Sequence, residues 1–134
     1  MLQRFFHFTD DKRVSTGLLI LRVVLGVCMM THGWGKIQNP FSWMPPEAPI
    51  PGFLQFLAAL SEFGGGLAWV LGLLTPLASL GLAITMAVAA SFHINMGDAF
   101  QKWELATLYF AVAIVLMIAG AGRYSLDNKI FRKK

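Results

Sequence analysis

A few side chains with acid–base chemistry interrupt long apolar stretches of this sequence. They are Arg22, His32, Lys36, Glu62, His93 and Glu104. A carboxyl group can exchange protons, a guanidinium can hold a carboxylate charged, and a neutral imidazole can donate a hydrogen bond. Ionisable residues inside membrane-spanning segments are costly to insert and are functional candidates for that reason. These residues therefore form the predicted site, and the helices that carry them decide which of them meet.

Glu62 is the ionisable residue of the second apolar stretch, which begins at about Phe53. A rise of ~1.5 Å per residue places it ~14 Å along that helix, close to the middle of a hydrocarbon core ~30 Å thick. Gly65, Gly66 and Trp69 follow on roughly the same face, and small residues at such spacings admit a neighbouring helix. We therefore expect Trp69 to belong to the ligand-binding site.

Arg22 lies ~12 Å from the opposite membrane surface, which puts it within ~4 Å of the depth of Glu62. Each charge is expensive alone and cheaper as a pair. We therefore predict that Arg22 and Glu62 form a salt bridge or share a water-filled pocket. The pair would either handle protons or only fix the register of the helices.

The remaining ionisable residues fall at helix ends on one side of the membrane. They are His32, Lys36, His93 and Glu104, and with Trp69 they are the predicted ligand-binding residues. The histidines have three interpretations: polar residues at helix ends, ligands of a quinone or members of a proton relay, or ligands of a haem or metal. No ligand spacing supports a metal site, so none is predicted and haem is the weaker cofactor hypothesis.

The composition is that of a membrane protein. Of 134 residues, 56% are hydrophobic and 13% are charged, and the mean hydropathy is +0.60. Four apolar stretches, at about 14–37, 53–74, 77–95 and 103–119, predict an all-α, four-helix transmembrane bundle. We expect residues 1–134 to form a single integral membrane domain.

Basic residues cluster at the two ends of the chain, at positions 4, 12 and 13 and again from 123 to 134, whereas the loop at 38–52 has no Lys or Arg. This asymmetry predicts cytoplasmic termini and argues against a nucleic-acid partner. The loop holds five prolines together with Phe41, Trp43 and Met44. It would lie on the membrane surface or fold over the bundle as a lid. Because Cys28 is the single cysteine, any electrons must come from a bound molecule or a partner.

Three motifs resemble the DoxX family of small four-helix bacterial membrane proteins. They are LRVVLG at 21–26 with HGWGK at 32–36, EFGGGLAWVLGLLT at 62–75, and GAGRYSLD at 120–127. The order and spacing match the family, although Pro76 stands where the family often has Arg. The resemblance implies a multi-pass protein of the bacterial inner membrane, of a kind associated with oxidoreductase or respiratory systems and in some relatives with quinone-linked oxidation of thiosulfate.

Together these features predict a membrane component of an oxidoreductase system that binds a quinone or a small lipid-like molecule in an outer-facing pocket. The alternative is a non-catalytic scaffold or assembly factor for a partner enzyme. A partner oxidoreductase subunit and self-association are both compatible with the sequence. Whether the chain is itself catalytic is left open.

Overall fold

The computed structural model describes residues 6–132, which form five helices and no strand. The helices are α1 (Lys12–Gln38), α2 (Gly52–Leu71), α3 (Thr75–Asn95), α4 (Phe100–Ala119) and the short α5 (Leu126–Phe131). The first four are long and apolar enough to cross a membrane. The prediction of an all-α, four-helix transmembrane bundle is confirmed. That the whole chain forms one domain stays a prediction.

The long helices pack as two antiparallel hairpins, α1 on α2 and α3 on α4, which meet where α2 packs on α3. Both ends of the described chain lie at one end of the bundle, where the backbone N–H of Arg123 donates to Oγ of Ser15 over 3.1 Å. We call this the terminal end. The loop at 39–51 and the α3–α4 turn occupy the other end, the loop end.

Glycines set the register between α1 and α2. A Cβ atom added at Gly26 would lie 2.6 Å from the carbonyl oxygen of Gly66, and one added at Gly33 would lie 2.6 Å from the backbone nitrogen of Phe63. Only residues without a side chain allow this backbone contact. Of the small-residue face predicted on the second helix, Gly66 is covered by α1, whereas Gly65 packs against Leu82 of α3.

The turn between α2 and α3 comes earlier than the apolar stretch predicts. Gly72 ends α2 in the left-handed region, at φ 61°, which a residue without Cβ adopts readily. Leu74 is also left-handed, at φ 48°, and α3 begins at Thr75. Pro76 falls in the first turn of α3, where its missing N–H costs no helical hydrogen bond. The predicted end of the second helix near residue 74 is therefore wrong by three residues.

Candidate functional site

A cavity of about 240 Å³ opens at the loop end and is lined by all four long helices. Its walls are Met29, His32, Lys36, Glu62, Met86, Ala89, His93, Lys102, Leu105, Ala106 and Tyr109. Of the seven predicted site residues, the structure brings four together here: His32, Lys36, Glu62 and His93. Met29 and Met86 are almost completely buried and make an apolar floor below this polar group.

Glu62 forms an ion pair with Lys36. The distance from Nζ of Lys36 to Oε1 of Glu62 is 2.6 Å, and the side chains are 28% and 4% exposed. The second carboxylate oxygen of Glu62, Oε2, is buried and has no hydrogen-bond partner among residues 6–132. A buried polar atom without a partner is unusual in a native protein. Glu62 therefore lines the cavity with a carboxyl group whose Oε2 can still accept a hydrogen bond.

The predicted salt bridge between Arg22 and Glu62 is wrong. Arg22 is completely buried and donates from Nη1 to the carbonyl oxygen of Trp69 and from Nη2 to that of Tyr124, each over 2.7 Å. Side chains on a helix lean toward its N-terminus. Because α1 and α2 are antiparallel, Arg22 leans toward the terminal end and Glu62 toward the loop end. Similar depth of the two backbones therefore does not bring the charges together.

Asp127 attracts the buried charge of Arg22, although the two form no salt bridge within residues 6–132. Its carboxylate accepts the backbone N–H groups of Leu74 (2.6 Å) and Thr75 (2.8 Å) at the start of α3. Its own N–H donates to the carbonyl oxygen of Gly72 over 2.8 Å. Arg22, through its bonds to Trp69 and Tyr124, and Asp127, through its bonds to the start of α3, thus hold the terminal end together at a distance from the cavity. We call these two residues the clamp.

Two further predicted residues lie outside the cavity. Trp69 is completely buried, and its indole N–H donates to Oγ of Ser79 over 2.9 Å, so it joins α2 to α3 in the core. Glu104 is exposed and does not line the cavity. Because α4 turns ~100° per residue, Glu104 points about 200° away from Lys102, which lines the cavity instead.

The rim of the cavity carries a second group of charges. Oδ2 of Asp98, in the α3–α4 turn, lies 2.7 Å from Nδ1 of His93, and Oδ1 lies 3.3 Å from Nζ of Lys102. The hydrogen bonds from His93 and then Lys102 hold the pKa of Asp98 below its usual value. Asp98 therefore ties the end of α3 to the start of α4.

Tyr109 is a cavity residue that sequence reasoning missed. It is 5% exposed, and its ring meets His32 edge-on with centroids 6.2 Å apart. The sequence signal that could have identified Tyr109 is its spacing. It lies three residues after Ala106 and four before Ala113, so that the three residues share the small-residue face of α4. A polar-tipped ring on a buried helix face needs a partner.

The loop at 39–51 folds against the Lys36 side of the cavity. The ring of Trp43 lies 4.5 Å from Nζ of Lys36, a cation–π distance. Its indole N–H donates to the carbonyl oxygen of Gln55 over 2.9 Å, and the Gln55 side chain accepts the N–H of Met44 over 3.0 Å. None of the residues 39–51 lines the cavity, so the lid stays a prediction.

Within residues 6–132 no three His, Cys, Asp or Glu side chains are grouped to hold a metal ion. The cavity instead combines an apolar floor with hydrogen-bonding groups of both kinds: the imidazoles of His32 and His93, the phenol of Tyr109 and the carboxyl group of Glu62. Such a site can hold a flat, apolar ring that carries polar oxygens and can exchange protons with it.

Comparison with known proteins agrees with this architecture. The sequence model of the DoxX family matches residues 17–94. The chain is 32% identical to "Inner membrane protein YqjF" of Escherichia coli (strain K12), over 91% of this chain and 98% of that protein. It is 29% identical to "Putative oxidoreductase CatD" of Bacillus subtilis (strain 168), over 92% and 94%.

A third relative, an uncharacterized protein of Haemophilus influenzae (strain ATCC 51907 / DSM 11121 / KW20 / Rd), is 32% identical over 87% of this chain and 92% of its own length. No solved structure matches the sequence. The four apolar helices and these matches confirm the prediction of a multi-pass inner-membrane protein. The chain is a member of the DoxX family.

Proposed function

We propose that this protein is the membrane component of an oxidoreductase system and binds the head group of a quinone in the loop-end cavity. The observation that carries the proposal is the buried carboxyl group of Glu62, with one oxygen paired to Lys36 and the other unpartnered, in the wall of a cavity with an apolar floor. The name of the relative CatD supports the oxidoreductase class.

The size of the cavity favours one ring over a whole lipid. Its volume of about 240 Å³ is below the ~300 Å³ at which pockets for drug-sized ligands begin. The prenyl tail would therefore lie outside it. His32 on α1 and Leu105 on α4 line the cavity and are exposed, which leaves an opening between these two helices toward the lipid.

Each polar group would have a distinct role toward the quinone. A quinone carbonyl oxygen accepts hydrogen bonds, which His32 or the phenol of Tyr109 would donate. His93, whose Nδ1 is bonded to Asp98, would donate from Nε2 when its ring is protonated. Reduction of a quinone to a quinol takes two electrons and two protons. Glu62 would pass protons, and Lys36, rather than the predicted Arg22, would stabilise its ionised form. The electrons would come from a partner oxidoreductase subunit.

The test is thermal unfolding of the purified protein, in nanodiscs, with a short-chain quinone analogue. At a hundredfold excess over Kd, binding stabilises the folded state by about 2.7 kcal/mol. His32→Ala, His93→Ala, Tyr109→Phe and Glu62→Gln are expected to weaken this stabilisation. Glu104→Gln, the same chemical change on the exposed side of α4, is the matched control and leaves it unchanged.

Three outcomes would contradict the proposal. A melting temperature that no quinone moves, in a protein that still co-purifies with an enzyme, would favour a non-catalytic scaffold. A Soret absorbance band in the purified protein would instead make His32 and His93 candidates for haem ligands. Equal loss of quinone stabilisation in Glu62→Gln and Glu104→Gln would show that the quinone does not bind in this cavity.

A further inference from the structure

The terminal end of the bundle carries four cations that have no ion-pair partner in the described part of the chain. Lys12 and Arg13 are exposed in the first turn of α1, Lys129 is exposed on α5, and Arg123 is half-buried between them and α4. Within residues 6–132 none of these four forms a salt bridge. Lys12 and Arg13 also lie where the helix macrodipole disfavours positive charge.

The acids of this end are committed to other contacts. The Asp11 carboxylate accepts the N–H groups of Arg13 and Val14, over 2.8 and 3.0 Å, and caps α1. Asp10 is held by both terminal nitrogens of Arg132, over 2.6 and 2.7 Å. Asp127 is buried beneath α3. Counting Arg132, five Lys and Arg side chains lie at the surface of this end against these three acids, so a net positive charge remains although Asp10 also attracts Arg123.

Apolar side chains are interleaved with these cations. Val14, Tyr124 and Ile130 are 50%, 46% and 59% exposed. Cations beside exposed apolar groups at the end of membrane-spanning helices are typical of a surface at the level of the lipid head groups, where the apolar parts reach the acyl boundary. The hydrogen bond from Arg123 to Ser15 and the bonds to Asp127 hold α5 and its neighbours firmly in this place.

The loop end lacks a comparable surface in the described part of the chain. Its two cations, Lys36 and Lys102, are paired with Glu62 and Asp98, and Glu47 is exposed. Uncompensated positive charge is thus confined to one membrane face of the bundle.

We propose that the surface formed by Lys12, Arg13, Arg123 and Lys129, with Val14, Tyr124 and Ile130, binds the phosphodiester head groups of anionic phospholipids. The occupant is a lipid rather than a free phosphate, because the cations alternate with apolar side chains that a soluble anion cannot use. This binding is independent of the proposed quinone site, which lies at the other end of the bundle.

The test uses the purified full-length protein in nanodiscs of phosphatidylcholine and phosphatidylglycerol in a 4:1 ratio. Native mass spectrometry then measures the anionic lipid that the released protein retains. We expect enrichment over the bulk ratio that falls about fivefold for each surface cation removed, and that weakens with ionic strength. Lys12→Gln/Arg13→Gln should lose most of the enrichment, whereas Lys12→Arg/Arg13→Lys, which keeps the charge, should retain it.

The matched control is Lys133→Gln/Lys134→Gln, which removes the same charge from the extreme tail and should leave most of the enrichment. Equal loss in the two double variants would show that net charge, not this surface, attracts the lipid, and would overturn the proposal. If the unaltered protein retained the two lipids at their bulk ratio, the proposal would also be overturned. An acidic protein would then be the remaining candidate for the partner of this surface. Soluble glycerol phosphate should not compete. Competition by it would contradict the choice of a lipid.

Discussion

Lys36 of α1 and Glu62 of α2 meet because their side chains lean toward each other. Lys36 is in the last turn of α1 and leans back into the bundle, whereas Glu62 lies midway along α2 and leans toward the loop end. The resulting distance from Nζ to Oε1 is 2.6 Å. The pair leaves Oε2 of Glu62 unpartnered in the described structure. The ion pair therefore holds the carboxyl group in place while Oε2 can still accept a hydrogen bond.

Removal of Lys36 is expected to cost more stability than removal of Glu62. Lys36→Met leaves a buried carboxylate unpaired, at a cost of about 3 kcal/mol, whereas in Glu62→Gln the partly exposed lysine can reach water. The free energies of unfolding of both variants and of the double variant, measured in detergent, give the coupling, expected to be about 1–3 kcal/mol.

Arg22→Gln is the control for the measurement of coupling between Lys36 and Glu62. Because Arg22 bonds to Trp69 and Tyr124 instead of Glu62, its loss and that of Glu62→Gln should add within about 0.5 kcal/mol. Strong coupling between Arg22 and Glu62, or none between Lys36 and Glu62, would contradict the observed pairing.

Asp127→Asn is expected to be strongly destabilising although it is far from the cavity. It removes a negative charge that attracts the buried Arg22 and weakens two charge-assisted hydrogen bonds to the start of α3, at a cost of about 3 kcal/mol. The measurement is chemical unfolding, compared with Asp10→Asn, which loosens only the exposed Arg132 pair. Similar small losses in both variants would show that Asp127 is not part of a clamp.

Gly26→Ala should loosen the contact between α1 and α2. The new methyl group would overlap the Gly66 carbonyl oxygen at 2.6 Å and Val70 Cγ2 at 2.8 Å, so the helices must separate, at a cost of about 1–3 kcal/mol. Gly35→Ala, in the same helix, meets nothing within 4 Å and should cause no loss. Equal melting temperatures of the two variants would show that α1 and α2 are not in close contact at Gly26.

The rim ion pairs predict a dependence of stability on pH. The pKa of Asp98 is lowered in the folded state by His93 and Lys102, so its contribution is complete above the unfolded value of 3.8. It disappears as the pH falls through the lower folded value. The melting temperature of the unaltered protein should exceed that of Asp98→Asn near neutral pH, and the difference should shrink below about pH 4. A difference that grows on acidification would contradict this assignment.

The orientation of the bundle is a prediction from charge asymmetry, with both termini in the cytoplasm. Single cysteines at Ser42 and Lys133, in a Cys28→Ser background, would be labelled by an impermeant thiol reagent in intact cells. Labelling is expected at position 42 alone. Labelling at 133 alone would invert the orientation and place the cavity on the cytoplasmic side.

The sequence by itself determined the membrane-spanning helices and the level of most of the site. Runs of apolar residues as long as a bilayer is thick leave few alternatives to a helical bundle. Alternation of direction then places His32, Lys36 and His93 at one end whatever the packing. The glycine face of α2 was also readable, because close approach requires small side chains.

Only the tertiary structure decided which charges pair. Similar depth along the helix axes predicted that Arg22 and Glu62 are neighbours, but the lean of the side chains pairs Lys36 with Glu62. Arg22 instead donates to the carbonyl oxygens of Trp69 and Tyr124. Rotation about the axis likewise removed Trp69 and Glu104 from the cavity and brought in Tyr109. A sequence gives the position of each residue along its helix, whereas contacts with neighbouring helices fix the rotation and offset that select its partner.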